Sequence, residues 1–292
     1  MKELVILSGK GGTGKTSLTA SFATLAAGSM LCDADVDAAD LHLLMQPDIQ
    51  EQTDFQGGGV AVIDPQRCTG CGTCIDMCRF SAISPDFVVD EIGCEGCGVC
   101  VDFCPEQAID FPVRTCGQWF VSDTRFGPMV HARLGIAEEN SGKLVTLVRQ
   151  QAKQLAEARG LDLILTDGPP GVGCPVIASV GGATSVVIVA EPTVSGIHDM
   201  ARAIELCRFF KVPVMVCINK FDLNPDNSAT IEQMARDQGV PVVGRVPFDA
   251  AFTRAMVQGK TLLEYDGNGA AGNHLRQVWA AIMQTSAMTA EH

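Results

Sequence analysis

The chain is 292 residues long, 47% hydrophobic, and carries 34 Asp and Glu against 21 Lys and Arg, a net charge of −13. That length can bury a substantial core and suits about two domains, while the acidic balance argues against nucleic acid as a partner. No apolar run approaches the ~20 residues of a membrane span, so no membrane partner is expected.

The first residues already read as a strand, Leu4-Val5-Ile6-Leu7, with no cleavable leader ahead of it, and a cytoplasmic protein is expected. The strand runs into Ser8-Gly9-Lys10-Gly11-Gly12-Thr13-Gly14-Lys15-Thr16-Ser17, after which Leu18, Phe22 and Leu25 recur at helical spacing. Strand, glycine-rich loop and helix are the setting of a phosphate-binding P-loop. The backbone N–H groups of Gly11, Gly12, Thr13 and Gly14 can turn onto an anion, and the helix N-terminus adds partial positive charge. Lys15 is placed to neutralise β- and γ-phosphates and the Thr16 hydroxyl to ligate Mg²⁺. With its second lysine, Lys10, the run resembles the deviant Walker A loop of the MinD/ParA/Mrp class, which includes the nitrogenase iron protein. The resemblance implies ATP as the nucleotide and a nucleotide-dependent homodimer in which Lys10 reaches the other subunit's phosphates. No basic amphipathic tail follows Trp279, so the membrane-binding end of MinD itself is not expected.

Gly28 offers a C-cap, and Met30-Leu31-Cys32 reads as a second strand ending on Asp33-Ala34-Asp35. By the same resemblance Asp35 belongs to switch I and positions the attacking water. Asp33, Asp37 and Asp40 read as turn and cap residues. Gln56-Gly57-Gly58-Gly59 breaks the pattern and marks a boundary.

Thirteen cysteines without a secretory signal point to metal or redox chemistry rather than to disulfides. Eight form two runs, Cys68-x₂-Cys71-x₂-Cys74-x₃-Cys78 and Cys94-x₂-Cys97-x₂-Cys100-x₃-Cys104-Pro105. Adding 26 to a residue number carries the first run onto the second, and also carries Gly70, Gly72, Asp76 and Ala82-Ile83 onto Gly96, Gly98, Asp102 and Ala108-Ile109. Such duplication is no coincidence. The spacing is that of a bacterial two-cluster ferredoxin, in which the fourth cysteine of each run ligates the other cluster. Cys68, Cys71, Cys74 and Cys104 are therefore assigned to one 4Fe–4S cluster, and Cys94, Cys97, Cys100 and Cys78 to a second. Arg79 stands where a proline often follows. A pair of zinc knuckles fits less well, because consecutive x₂ spacings wrap a cube better than a tetrahedron. From Val60 to Pro112 nine acidic residues face Arg67 and Arg79, a net of −7, so an acceptor protein with a basic docking patch is expected.

Beyond Val113, Gln118–Val121 and Met129–Leu134 read as a hairpin, and Leu144, Leu147, Val148, Gln151 and Leu155 as a helix. Leu161–Asp167 is a buried-strand run ending on an acid, in the manner of a Walker B strand, with Asp167 holding Mg²⁺. Gly168-Pro169-Pro170-Gly171 resembles the switch II loop. Cys174 lies where the nitrogenase iron protein has a cluster ligand, but the second cysteine that protein needs is missing near Glu139-Asn140-Ser141-Gly142. An interfacial thiol and a small apolar filler stay open for Cys174. Further strands end at Glu191-Pro192, at Asn219-Lys220 and near Pro247. The family likeness implies adenine contacts for Asn219 and for the Val-Pro pair that includes Pro247. Cys32, Cys207 and Cys217 read as core residues, and His198 as a solvated or capping residue.

The expected fold is a doubly wound, mostly parallel α/β P-loop domain formed by residues 1–59 and 113–292, with a ferredoxin-like α+β insert at residues 60–112. The expected function is an ATPase coupling hydrolysis to low-potential electron transfer through two 4Fe–4S clusters. The alternatives are an Mrp-type iron–sulfur carrier or maturation factor, and a positioning ATPase with sensor clusters.

Overall fold

A computed structural model describes residues 1–135 and 141–289, so Glu139 and Asn140 lie outside the described residues. The chain runs β1 (Lys2–Ser8), α1 (Lys15–Leu25), β2 (Met30–Asp33), α2 (Leu41–Met45), β3 (Asp48–Gly59), β4 (Val62–Ile63), α3 (Thr73–Met77), α4 (Val99–Asp102), β5 (Ile109–Asp110), β6 (Val113–Thr124) and β7 (Gly127–Leu134). It continues α5 (Ser141–Ala158), β8 (Leu163–Pro170), α6 (Cys174–Val180), β9 (Ser185–Ala190), α7 (Val194–Phe209), β10 (Val214–Asn219), α8 (Pro225–Asp237), β11 (Val242–Val246), α9 (Ala251–Val257), α10 (Leu262–Asp266) and α11 (Ala270–Met283). Two compact units emerge. One takes Met1–Gln52, Trp119–Arg133 and the chain from Ser141 onward; the other takes Thr53–Gln118 and a segment beginning at Leu134. Among the described residues no helix is long and apolar enough to cross a membrane.

The sheet has nine strands in the order β11-β10-β9-β1-β8-β2-β7-β6-β3. Every pair from β11 through to β7 is parallel, and a tight turn at Arg125-Phe126 joins β6 to β7. Alternation decides what each face buries. Leu4 and Ile6 of β1 point into one core with Leu18 and Phe22 of α1 and Leu275 of α11; Val5 and Leu7 point into another with Val180 of α6 and Ile204 of α7. Helices thus cover both faces of an α/β sheet, and the parallel strands send the ends of β1, β2, β8, β9 and β10 to one edge, where such sheets bind ligands.

Two expectations need correction. The glycines at 57–59 do not break the chain but close the 12-residue β3. Their lack of side chains lets neighbours approach: a Cβ on Gly57 would meet the Phe55 ring at 2.5 Å, and one on Gly59 the Phe111 ring at 2.9 Å. The second unit starts at Thr53 and reaches Gln118, and residues 60–112 fall inside it. Likewise Gly168-Pro169-Pro170 is not loop but the last part of β8, pairing as far as Ser8 with Pro170. A Cβ on Gly168 would strike Leu7 at 2.4 Å, so only glycine allows β8 to run on beside β1.

Within the first unit, His131 of β7 is buried, accepts or donates one bond with Ser122 Oγ (3.0 Å), and stacks on Phe120 at 4.9 Å. Burial, with His42 nearby, pushes its pKa from 6.5 down to about 4. The unfolded chain takes up this proton first, so the stabilisation is full above pH 6.5 and drains as pH falls toward 4. Between pH 7 and pH 5 the loss from this residue should be about 2 kcal/mol. Urea unfolding at the two pH values checks it: His131→Gln should show a slope smaller by that amount, and an unchanged slope would refute the assignment.

The second unit displays its duplication in three dimensions. Helices α3 and α4 each follow a glycine in left-handed conformation, Gly72 (φ 83°) and Gly98 (φ 74°). Ser81 (φ 53°) and Gln107 (φ 50°) repeat the same positive φ 26 residues apart. The antiparallel β4–β5 pairing of Ile63 with Ile109 is mirrored by the bridge between Ile83 and Val89.

Candidate functional site

The P-loop joins β1 to α1, and Gly14 adopts φ 90°, the left-handed turn that lets the helix start at Lys15. The Ser8 hydroxyl donates to Lys10 O at 2.9 Å, tightening the entry to the loop. Lys15 is 6% exposed and its Nζ lies 2.9 Å from Asp167 and 3.3 Å from Asp35. Burial alone would depress this ammonium, but Asp167, Asp35 and Asp33 outweigh it and hold the group above its ordinary value. The Thr16 hydroxyl donates to Asp167 Oδ2 at 2.8 Å and that of Thr19 to Asp167 Oδ1 at 2.9 Å. One cation thus faces three buried carboxylates.

Parallel register explains the carboxylates, since Asp33 pairs with Asp167 across β2 and β8. Asp33 is fully buried, and burial together with the Asp167 charge raises its pKa well above the carboxylate range. It is more than a turn residue: its oxygens accept from Asp35 N (3.2 Å) and Leu41 N (3.3 Å), bracing the loop that carries Asp35. Burial also raises Asp35 and Asp37. The arrangement fits a magnesium nucleotide. A hydroxyl and a carboxylate, Thr16 and Asp167, already converge; Lys15 is held by the anions that phosphate would replace; and the buried Thr13 hydroxyl in the loop has no partner. Thr16 and Asp167 would hold a Mg²⁺ ion there, which would supply neutralisation of phosphate charge.

Around the loop, Asn219, Lys220 and Lys10 make contacts that the sequence did not foretell. Asn219 is 4% exposed and donates from Nδ2 to Thr13 O at 2.7 Å. Lys220 donates to Gly12 O at 2.9 Å and pairs with Glu191 at 3.1 Å. Lys10 pairs with the same Glu191 at 3.2 Å and donates to Thr193 Oγ1 and Ser195 Oγ, each at 3.2 Å. The two lysines hold the Glu191 carboxyl below its usual range against the opposing effect of burial. Glu191 was legible only as a strand end. Pro247 is half-buried just past β11, and the next residue's amide, Phe248 N, donates to Asp222 Oδ1 at 2.6 Å. Ser17 Oγ lies 4.0 Å from Met256 Sδ of α9.

The second unit gathers the eight cysteines into two groups. One cavity of about 310 Å³ is lined by Cys68, Cys71, Cys74 and Cys104. Another of about 380 Å³ is lined by Cys78, Cys94, Cys97 and Cys100. Each fourth cysteine has crossed to the other run's group, because α3 and α4 pack on one another with Cys74, Ile83, Ile109 and Ala61 at the centre. Backbone amides donate to both crossing sulfurs, Ala82 N to Cys78 Sγ at 3.4 Å and Ala108 N to Cys104 Sγ at 3.3 Å. Four thiols around one partly open pocket, with amides aimed at sulfur, fit a multi-iron cluster. Among the described residues no three His, Cys, Asp or Glu side chains converge as a single metal ion needs.

The remaining cysteines separate by burial. Cys32, Cys116, Cys207 and Cys217 are buried, and burial pushes the last two thiols up to about 12. Cys174 is exposed at the start of α6, so the apolar-filler alternative falls. His198 is exposed as well.

Residues 4–262 match the CobQ/CobB/MinD/ParA nucleotide binding domain. The chain is 33% identical over 228 residues to the uncharacterized protein MJ0578 of Methanocaldococcus jannaschii, covering 77% of this chain and 80% of that protein. It is 22% identical to the iron-sulfur cluster carrier protein of Pyrococcus horikoshii, over 92% of this chain and 81% of that one. The MinD cell division protein of Aquifex aeolicus superposes over 98% of both chains at a TM-score of 0.59 and 18% identity, a likeness of fold.

Proposed function

The chain belongs to the CobQ/CobB/MinD/ParA nucleotide-binding family and is a P-loop ATPase, and we propose that it spends ATP on handling iron–sulfur clusters, as a carrier or maturation factor. The observation that carries this reading is the pair of four-cysteine cavities in a chain that also resembles an archaeal iron–sulfur carrier along most of its length.

In this reading residues 60–112 form a ferredoxin-like insert. Cys68, Cys71, Cys74 and Cys104 hold one 4Fe–4S cluster, and Cys94, Cys97, Cys100 and Cys78 the other. Cys71 and Cys97 are the exposed members of the two sets, the corners at which an acceptor's thiolate reaches a cluster first. The insert's acidity selects an acceptor with a basic docking face. At the P-loop, the amides of Gly11 to Gly14 and the Lys15 ammonium receive the phosphates. Thr16 and Asp167 hold Mg²⁺, and Asp35 orients water on the γ-phosphate. Lys10 leaves Glu191 to reach the phosphates of a second subunit in a nucleotide-dependent homodimer. The base lies near Asn219 and Pro247, with Asn219 also bonded to the loop through Thr13 O. Covalent continuity from Asp35 through α2 and β3 into the insert gives switch I a path to the cysteine unit.

Anaerobic reconstitution with labelled iron and sulfide tests the reading. Label should pass to an apo-ferredoxin acceptor at least tenfold faster with Mg-ATP than without, and retention of all label under both conditions would refute cluster delivery. Electron transfer is the second reading, and one observation favours it: each set offers four thiols, enough to saturate a cluster and keep it. ATP-dependent reduction of an acceptor with no movement of label would select it.

A further inference from the structure

The 26-residue repeat extends to the side chains that line the two cavities. Ile63, Ala108 and Ile109 of the first answer to Val89, Ala82 and Ile83 of the second. One carboxylate borders each cavity, Glu106 the first and Glu95 the second, so formal charge does not tell them apart. The crossing cysteines receive equivalent amide bonds, and Cys71 and Cys97 are both exposed. The repeat is not exact, since Thr69 of the first cavity answers to Glu95 of the second and Glu106 of the first to Phe80 of the second, but the difference with a contact to a ligand sulfur is at Thr73. Thr73 places its hydroxyl 3.4 Å from Cys71 Sγ, whereas the position 26 residues later is Val99, which lines the second cavity with methyl groups alone.

A thiol at Cys71 donates to Thr73 Oγ1; once that sulfur is a thiolate bound to iron, the direction reverses and the hydroxyl donates to sulfur. A donor aimed at a ligand sulfur stabilises the extra negative charge of the reduced cluster and so raises its reduction potential. The geometry points to Thr73 as a tuning residue that makes the Cys68/Cys71/Cys74/Cys104 site the electron-accepting one of the pair. This inference rests on the reading that both cavities hold 4Fe–4S clusters. An external one-electron reductant then fills the first site before the second. An electron placed on the second passes to the oxidised first: one site is oxidised, the other reduced, no proton moves and no iron–sulfur bond breaks. Deeper burial of Cys74 than of Cys100 acts in the opposite sense, which is why each site must be compared with its own variant.

The test is an anaerobic redox titration of the full chain followed by EPR, with iron and sulfide counted beforehand. Unaltered protein should show two resolved one-electron midpoints. Thr73→Val should lower the higher midpoint, Val99→Thr should raise the lower one, and Thr73→Ser should leave the pattern as it was. Variants that hold full iron and sulfide yet titrate like the unaltered protein would overturn the role of Thr73. Failure of the unaltered protein to take up iron and sulfide would instead overturn the cluster reading on which it rests, and the count taken before titration tells these apart.

Discussion

Lys15→Ala is expected to abolish ATP turnover, a loss of at least about 10²-fold in phosphate release and the largest effect of any single change in the first unit. Among the described residues Lys15 is the only cation within 3.3 Å of the Asp35 and Asp167 carboxylates, and Asp33 adds to the same field. Without it, arriving phosphates meet buried anions with nothing to offset the repulsion. Removing one partner of a buried charge cluster also costs stability, on the order of 3–5 kcal/mol, so a dead Lys15→Ala protein could simply be unfolded. Thr16→Ala keeps the lysine and removes only a hydroxyl and its 2.8 Å bond to Asp167. It should melt near the unaltered protein, bind nucleotide, and lose Mg²⁺-dependent hydrolysis. Turnover within a factor of ten of normal in both variants would place hydrolysis elsewhere in the chain.

The second large effect concerns the crossed cysteines. In a chain already lacking Cys68 and Cys71, adding Cys104→Ala should cost no more iron, because Cys104 belongs to the site already lost. Adding Cys78→Ala to the same chain should remove the rest, because Cys78 lines the surviving cavity with Cys94, Cys97 and Cys100. Iron and sulfide analysis with absorbance near 400 nm reads both. The reverse outcome, with Cys104→Ala fatal and Cys78→Ala silent, would mean that each run builds its site alone and that the crossing is wrong.

Much of this site was legible because its signals are local. The P-loop, the Asp within β8 and the two cysteine runs are each written within about a dozen residues, and strand-loop-helix order places them without long-range information. Features that depend on distant partners were not. The glycines at 57–59 read as a break because a neighbouring Phe55 or Phe111 ring filling the absent side-chain space leaves no local mark. Gly168 read as the start of a loop for the same reason, its need for glycine arising from Leu7 on another strand. Asn219 and Glu191 were recognisable as strand ends, yet their contacts with Thr13 and Lys10 span 206 residues and 181 positions of chain (191 − 10) respectively. Asp33 was taken for a turn residue, although only the pairing of β2 with β8 reveals its burial against Asp167.

The shared carboxylate of Glu191 has a consequence for how two chains would meet. A lysine already satisfied at home can leave without being stripped bare only if the new site offers the same kind of ligand, and a phosphate oxygen does. The exchange trades anion for anion, so bare electrostatic attraction contributes little to it and geometry decides. In the proposed dimer Glu191 would act as a placeholder, holding Lys10 until a nucleotide on a second copy supplies a better-shaped replacement.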